Sequence, residues 1–355
     1  MTTWLEFLKS HHAVFSPVAD GGPETPLRIT GFGNPELEQA AARHGAVACP
    51  LLEWEALSVA GPDAGSFLHG QFTNDVAGLA VGAVQYNGYC SPKGRMLAAF
   101  PLARLADTEY LLVAPASIMA ALVRRLRMFV LRAKVVVAPL PGSHACIGVA
   151  GPAGPASERP EALRVHREEG LTVLGLPDGR LLAVCAASRA QSFWETIARS
   201  ATPAGSLVWD WLAINTGVPV ITAATQDKFV PQMLNWELVG GVNFQKGCYP
   251  GQEIVARMQY LGRLKERLYR AHVAGVGATE VSAAPGAPLY GAQFGAQACG
   301  TIVNAAPAPG GGLDVLAVIQ IASAQNDSVR LAPAAGAPVL ELLPLPYPVP
   351  AAQAK

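Results

Sequence analysis

"NFQKGCYPGQEIVAR", residues 243–257, sets a lysine, a cysteine, a glutamine and a glutamate within Lys246–Glu253, with glycines at 247 and 251. Pro250 suits a first helical turn, and Gln252, Glu253, Ile254, Val255 and Ala256 can continue it, so the pattern predicts a turn opening into a helix. Cys248 would then stand just before a helix N-terminus, where free N–H groups and the helix dipole stabilise a thiolate. Lys246 adds positive charge nearby, and Glu253 acts in the opposite direction. A lone cysteine in a glycine-rich turn is roughly twice as often structural as reactive. The spacing alone leaves both readings open.

Two commoner sites are not matched by the sequence. A Walker A loop needs Gly-Lys-Ser/Thr opening the helix, whereas here lysine precedes glycine and no Ser or Thr follows. A thiol protease needs a partner histidine, and none of the seven, at 11, 12, 44, 69, 144, 166 and 272, carries such a local signature.

Downstream of this stretch, from about residue 265, the pattern changes to short strands between Gly/Pro loops: "RLYRAHVAG", "APLYGA", "CGTIVNAAP", "LDVLAVIQIA" and "PVLELLPLPY". With no helix of useful length among them, residues 265–345 read as a small β-barrel or sandwich. Upstream, "SLVWDWLAINTGVPVI" reads as an amphipathic helix ending near Gly217, followed by a long polar loop. Residues 141–206 carry the strands "ACIGVAG", "LTVLGL" and "LLAVCA" and the helix "RAQSFWETIARS", with 151–164 as a surface loop. Before that, "WLEFLKSHHAVF" reads as a helix leading into the Pro/Gly-rich loop 16–26. "AVQYNGYCSPKGRMLAAFPLARL" reads as two strands around the turn Ser91-Pro92-Lys93-Gly94. Ser117 is a candidate N-cap for a helix that gives way to a strand near Val130.

Polar residues concentrate at two further places. Gln71, Asn74 and Asp75 in "HGQFTNDV", and Asn87 in "QYNGYC", suit a pocket for a polar heterocycle, since amides supply paired donors and acceptors. They suit equally well the capping and shaping of a loop. Lys93 and Arg95 flank a turn glycine within reach of an anionic tail. Arg124, Arg125 and Arg127, then Arg132 and Lys134 on a predicted strand, form a basic cluster that reads as a helix's wet face or as a seat for phosphate or carboxylate.

Lys plus Arg and Asp plus Glu are 26 each, so no global field draws the chain to nucleic acid or an acidic membrane. At 355 residues with 51% apolar side chains the chain supports two or three domains. No secretory signal and no membrane span is legible, and six cysteines at 49, 90, 146, 185, 248 and 299 are too scattered for CxxC zinc or local cluster-ligand sites. They read as reduced thiols of a cytoplasmic protein, and no stably bound metal is expected.

Three segments, "FLHGQFTNDV", "YNGYCSPKGRMLA" and "PQMLNWELVGGVNFQKGCYPGQEIVARMQYLGRLKERL", together resemble the YgfZ family of folate-binding proteins, relatives of the glycine-cleavage aminomethyltransferases. The resemblance runs in order from about residue 25 to 345. It implies an α+β, three-domain cloverleaf of the aminomethyltransferase type around a central channel, with two ferredoxin-like α/β domains and a C-terminal β-barrel. The corresponding divisions are 1–140 with 207–258 as the folate-binding region, 141–206 as a second α/β region, and 265–345 as the barrel.

The resemblance further implies a protein that binds tetrahydrofolate or a one-carbon derivative and supports iron–sulfur cluster assembly or repair in client enzymes. One such client is the enzyme that methylthiolates tRNA; direct contact with tRNA is not required, nor is a membrane. Cys248 matches the family's functional thiol, and Lys246, Tyr249, Gly251, Gln252, Glu253 and Arg257 match other motif positions. Pro250 stands where relatives often carry threonine. The aminomethyltransferases' catalytic carboxylate aligns with Ala98 or Ala99, and no Asp or Glu lies between Asp75 and Asp107. That absence favours an accessory factor over the alternative, a folate-dependent one-carbon transferase or oxidoreductase.

Overall fold

The computed structural model describes residues 2–17, 27–140, 142–154, 159–277, 281–291, 295–326, 328–334 and 336–350. The chain forms two compact units. The first comprises Met1–Asn87 and Phe100–Trp209, the second Gly88–Ala99 and Asp210–Lys355.

In the first unit a six-stranded sheet runs in the order Val165–Glu168, Leu171–Gly175, Leu181–Ala186, His144–Ala150, Val47–Pro50 and Thr202–Pro203. All its pairings are antiparallel except the last. Alternate residues Ala145, Ile147 and Val149 meet Leu181, Ala183 and Cys185 in the core beneath the helix Ala187–Ile197. Trp194 from that helix anchors the cluster, edge-on to Trp4 (6.1 Å between centroids) and stacked on Phe32 (5.6 Å). The short strand Val165–Glu168, absent from the expected strands, follows directly on the loop 151–164; part of that loop, 155–158, is outside the described residues.

A second sheet runs Val84–Cys90, Met96–Ala106, Glu109–Pro115, Trp54–Ala60 and Val136–Pro139. The helix Ala116–Val130 turns Ile118, Met119, Leu122, Val123 and Leu126 inward, the spacing of one helical face. Ser117 is inside this helix, whose N-cap is Pro115. The helix ends at Leu131 in a left-handed conformation (φ 44), and the next strand begins at Val136 rather than near Val130. Arg132 and Lys134 therefore lie in a turn and do not share a strand face.

Two other expectations fail for local reasons. The first helix stops at Ser10, because His12 adopts φ 65; Val14–Pro17 then pairs as a strand with Leu27–Gly31. Residues 18–26 of the expected loop fall outside the described ones. The helix Ser206–Asn215 is not amphipathic: Trp209, Trp211, Leu212, Ala213 and Ile214 are all buried.

The turn between Leu171–Gly175 and Leu181–Ala186 holds a buried ion pair. Arg180 Nη2 and Nε donate to Asp178 Oδ2 at 2.7 and 3.1 Å, and the Tyr86 hydroxyl donates to the same oxygen at 3.2 Å. The guanidinium lies 4.3 Å from the Trp209 ring centroid. Burial alone would raise the Asp178 pKa, but the Arg180 charge and hydrogen bonds, with the Tyr86 bond, bring it below the ordinary carboxylate value. A depressed carboxylate pKa contributes stability above the unfolded-state value and loses it as pH falls through the folded-state value. Asp178→Asn is expected to cost about 2–3 kcal/mol at neutral pH by leaving Arg180 buried without its counter-charge. Urea unfolding of both proteins should show that difference shrinking as pH falls below about 4.

In the second unit a five-stranded antiparallel sheet runs Pro288–Tyr290, Ala298–Pro307, Leu313–Gln320, Glu266–Val273 and Glu341–Leu343. Val315, Ala317 and Ile319 pack with Ala271, Val273, Leu289 and Ile302 in its core. Single bridges Tyr290↔Arg330 and Arg330↔Val339 link one edge strand to the chain entering the other. The expected barrel is thus an antiparallel sheet whose edges are joined by isolated bridges, without a continuous ring of paired strands among the described residues.

Candidate functional site

The turn Ser91–Gly94 and the stretch 243–257 both belong to the second unit, and they interlock through two glycines. Gly251 sits at φ +80, and a Cβ there would stand 2.4 Å from Ser91 O and 2.6 Å from Gly94 Cα. Gly94, at φ +70, leaves only 2.8 Å between its own would-be Cβ and Ile254 Cβ. Both the conformation and the approach exclude a side chain at either position.

Gly251 is the N-cap of the helix Gln252–Tyr260. Pro250 thus precedes the cap and is not in the first turn; Glu253 is the acidic residue of that turn, as the helix dipole favours. The helix is fixed from below by Gln232, whose Nε2 donates to Val255 O at 2.8 Å, and by fully buried Val255. Phe244 meets Tyr260 edge-on at 6.1 Å, joining the start of the motif to the helix end.

Between these anchors, Lys246 and Tyr249 are buried whereas Gly247 and Cys248 are exposed. Lys246 Nζ lies 4.8 Å from the Tyr249 ring centroid, a cation–π contact. Gln252 Nε2 donates to Lys246 O at 3.4 Å and spans the loop. Burial, and then the neighbouring Cys90, push the Tyr249 phenol up. The result is a short loop with pinned flanks and a thiol at its exposed part.

The other five cysteines are buried. Burial pushes the Cys146 thiol up to about 12 and raises Cys90 and Cys185 further, with Asp227 contributing at Cys90. Those thiols are protonated core residues at neutral pH. Among the described residues no three His, Cys, Asp or Glu side chains gather closely enough to hold a metal ion.

Sequence reasoning passed over the third wall of the site, the segment around Asp227. Asp227 adopts φ 59 and its Oδ1 accepts from Ser91 Oγ at 2.8 Å. Its carbonyl accepts from Arg95 Nη1 at 3.3 Å, its N–H donates to Met96 O, and Gln226 Nε2 donates to Leu97 O at 2.7 Å. The local signal was a polar "TQDK" in a long loop, which specifies no partner. Lys93 and Arg95 are exposed on the turn, and Glu253 and Arg257 are exposed on the helix.

Gln71, Asn74, Asp75 and Asn87 belong to the first unit. Asn74 Nδ2 donates to Tyr86 O at 2.9 Å and its Oδ1 accepts from Asp75 N. Asp75 Oδ1 accepts from Gly78 N at 2.9 Å and lies 3.1 Å from His69 Nδ1. Both side chains thus shape the loop after the helix Ala64–His69. Asn87, fully buried, accepts from Gln85 at 3.4 Å, but among the described residues its Nδ2 has no hydrogen-bond partner, and neither has the buried Oε1 of Gln71.

Residues 5–157 match the GCVT N-terminal domain family. The chain is 29% identical to the tRNA-modifying protein YgfZ of Cronobacter sakazakii over 324 residues, covering 88% of this chain and 96% of that protein. It is 34% identical to the YgfZ of Colwellia psychrerythraea over 225 residues, 62% of this chain and 69% of the relative. The YgfZ of Edwardsiella ictaluri is 32% identical with the same coverage. Among solved structures, glycine cleavage system aminomethyltransferase T from Bartonella henselae superposes with a TM-score of 0.77 over 96% of this chain and 95% of its own, at 16% identity. That likeness assigns the fold, which is the aminomethyltransferase type. The sequence likeness assigns more: with 34% identity across more than two thirds of the Colwellia protein, this chain belongs to the YgfZ family.

Proposed function

We propose that this chain is a tetrahydrofolate-binding accessory protein of the cytoplasm that supports iron–sulfur cluster assembly or repair in client enzymes, with Cys248 as its functional thiol. Through a methylthiolating client it would support tRNA modification indirectly, in keeping with the name its relatives carry. The observation that carries the reading is the contrast among thiols: five are buried, and Cys248 alone is exposed, on a loop held by buried flanks and an interlocked glycine pair. With one thiol in place, a cluster at Cys248 would draw its remaining ligands from another chain.

What supports folate binding in the first unit is that Asn87 Nδ2 and Gln71 Oε1, a donor and an acceptor, are buried without a partner among the described residues, a costly arrangement unless a ligand uses them. In the second unit the exposed cations Lys93, Arg95 and Arg257 offer charge to an anionic group. A bound tetrahydrofolate would supply one-carbon or redox chemistry; this chain's residues bind and orient.

Aminomethyl transfer fits less well. Ala98 and Ala99 are buried on the strand after the turn, and the carboxylate nearest that turn in the second unit, Asp227, already accepts from Ser91. Titration of tetrahydrofolate into the purified chain is expected to show saturable binding, weakened at least about tenfold by Asn87→Ala, one hydrogen bond to a buried ligand. A chain that binds no tetrahydrofolate would remove the folate part of the reading.

A further inference from the structure

The first unit carries a basic and apolar surface whose residues have no part in the proposed folate and thiol roles. Between Glu109 and Glu158 the sequence has no acidic residue and five basic ones, Arg124, Arg125, Arg127, Arg132 and Lys134, in a chain of zero net charge. The same stretch holds the densest run of exposed apolar side chains: Met128 (66% exposed), Phe129 (44%), Leu131 (86%) and Val136 (66%). These residues close the helix Ala116–Val130 and open the strand Val136–Pro139.

The helix and strand border a groove of about 740 Å³. Its floor is aliphatic and thioether: Met119, Ala120, Val123, Met128 and Pro139. Arg124 and Arg127 stand along it, and among the described lining residues Glu55 is the one carboxylate. Asp63 is engaged beside this stretch, where its Oδ2 accepts from the Lys134 backbone N–H at 2.7 Å. Arg127 is fixed in place: its Nη2 and Nε donate to Val137 O at 2.7 and 3.2 Å. Leu131 is held outward by a backbone at φ 44, ψ −105, a conformation that costs a non-glycine residue energy and that no core contact of its own repays.

We propose that this groove docks an acidic amphipathic helix of a partner protein. Charge complementarity sets the sign: a visitor with carboxylates on its flanks meets Arg124 and Arg127, both exposed along the groove. The apolar residues set the class. Thioether and aliphatic floors accept the i, i+3, i+4, i+7 ridge of a helix, and methionines adapt to it. Nucleic acid would need stacking platforms, and Phe129 is the one aromatic ring among the exposed apolar residues of this stretch. A lipid surface would leave a concave groove unfilled. The helix of 15 residues offers roughly 22 Å of wall, enough for four turns of a visitor.

The probe is a fluorescent peptide of about 18 residues, with leucine at i, i+3, i+4 and i+7 and glutamate on both flanks, titrated into the full chain. Saturable anisotropy change is expected, weakened at least about tenfold by Met128→Glu and by Arg124→Glu. A peptide with the same leucines and lysine flanks is expected not to bind. Both substitutions are at exposed positions, and thermal melts check that each variant is folded. The proposal is overturned if the acidic peptide does not bind, or if it binds wild type and both variants alike. It is also overturned if tRNA or phosphatidylglycerol vesicles bind tighter than the peptide through the same two residues.

Discussion

Cys248→Ala is expected to abolish rescue of a bacterial strain lacking its own YgfZ, while the purified variant melts within about 2 °C of wild type. The two halves of this expectation have separate physical grounds. Cys248 is exposed, so removing its sulfur takes no core contact away and leaves no cavity. Its flanks stay where they are, because Lys246, Tyr249 and Gly251 are fixed by contacts that do not involve the thiol. Growth of the null strain with each variant, at matched protein level, measures the first half; a thermal scan measures the second. Substituting a buried cysteine such as Cys185 should give the opposite pattern, some loss of stability with rescue retained.

Gly251→Ala is expected to do what Cys248→Ala does not: lose both stability and rescue. An alanine held in the left-handed region costs about 1–2 kcal/mol. The new methyl would also lie 2.4 Å from Ser91 O, which belongs to backbone and cannot swing aside. Relief by displacement costs about a further 1–3 kcal/mol, and it separates the motif from the turn it leans on. The melting temperature should fall by about 5–15 °C, and the Cys248 loop should become more susceptible to protease. A variant that kept both its melting temperature and its rescue would show that the glycine interlock does not set the loop.

Much of this was legible in the sequence, for identifiable reasons. Gly251 of the motif and Gly94 of the predicted turn both have positive φ, as glycine at a turn allows. The short strands between Gly/Pro loops after residue 265 announced an all-β region, and the pairings there are antiparallel. The helix Pro35–His44 went unread, although Asn34-Pro35 is a start signal: Asn34 Oδ1 accepts from Leu37 N at 3.1 Å.

What escaped depends on contacts distant in the chain or on single strained residues. Asp227 joins the site through Ser91, 136 positions away, and no local pattern encodes such a pairing. His12 and Leu131 end their helices by adopting positive φ, a conformation their residue types rarely take. Ser206–Asn215 has the composition of a helix but apolar residues around most of its circumference, so periodicity misjudged its face. Asn74 and Asp75 show the reverse: their polarity drew attention, and the structure spends their hydrogen bonds on shaping a loop.

The most direct test of Cys248 as the functional thiol is the fraction of tRNA that is methylthiolated in the null strain carrying Cys248→Ser. This change replaces sulfur by oxygen and leaves the loop's shape intact. The account predicts that the fraction stays at the level of the strain carrying no copy. Restoration to the wild-type level would contradict it.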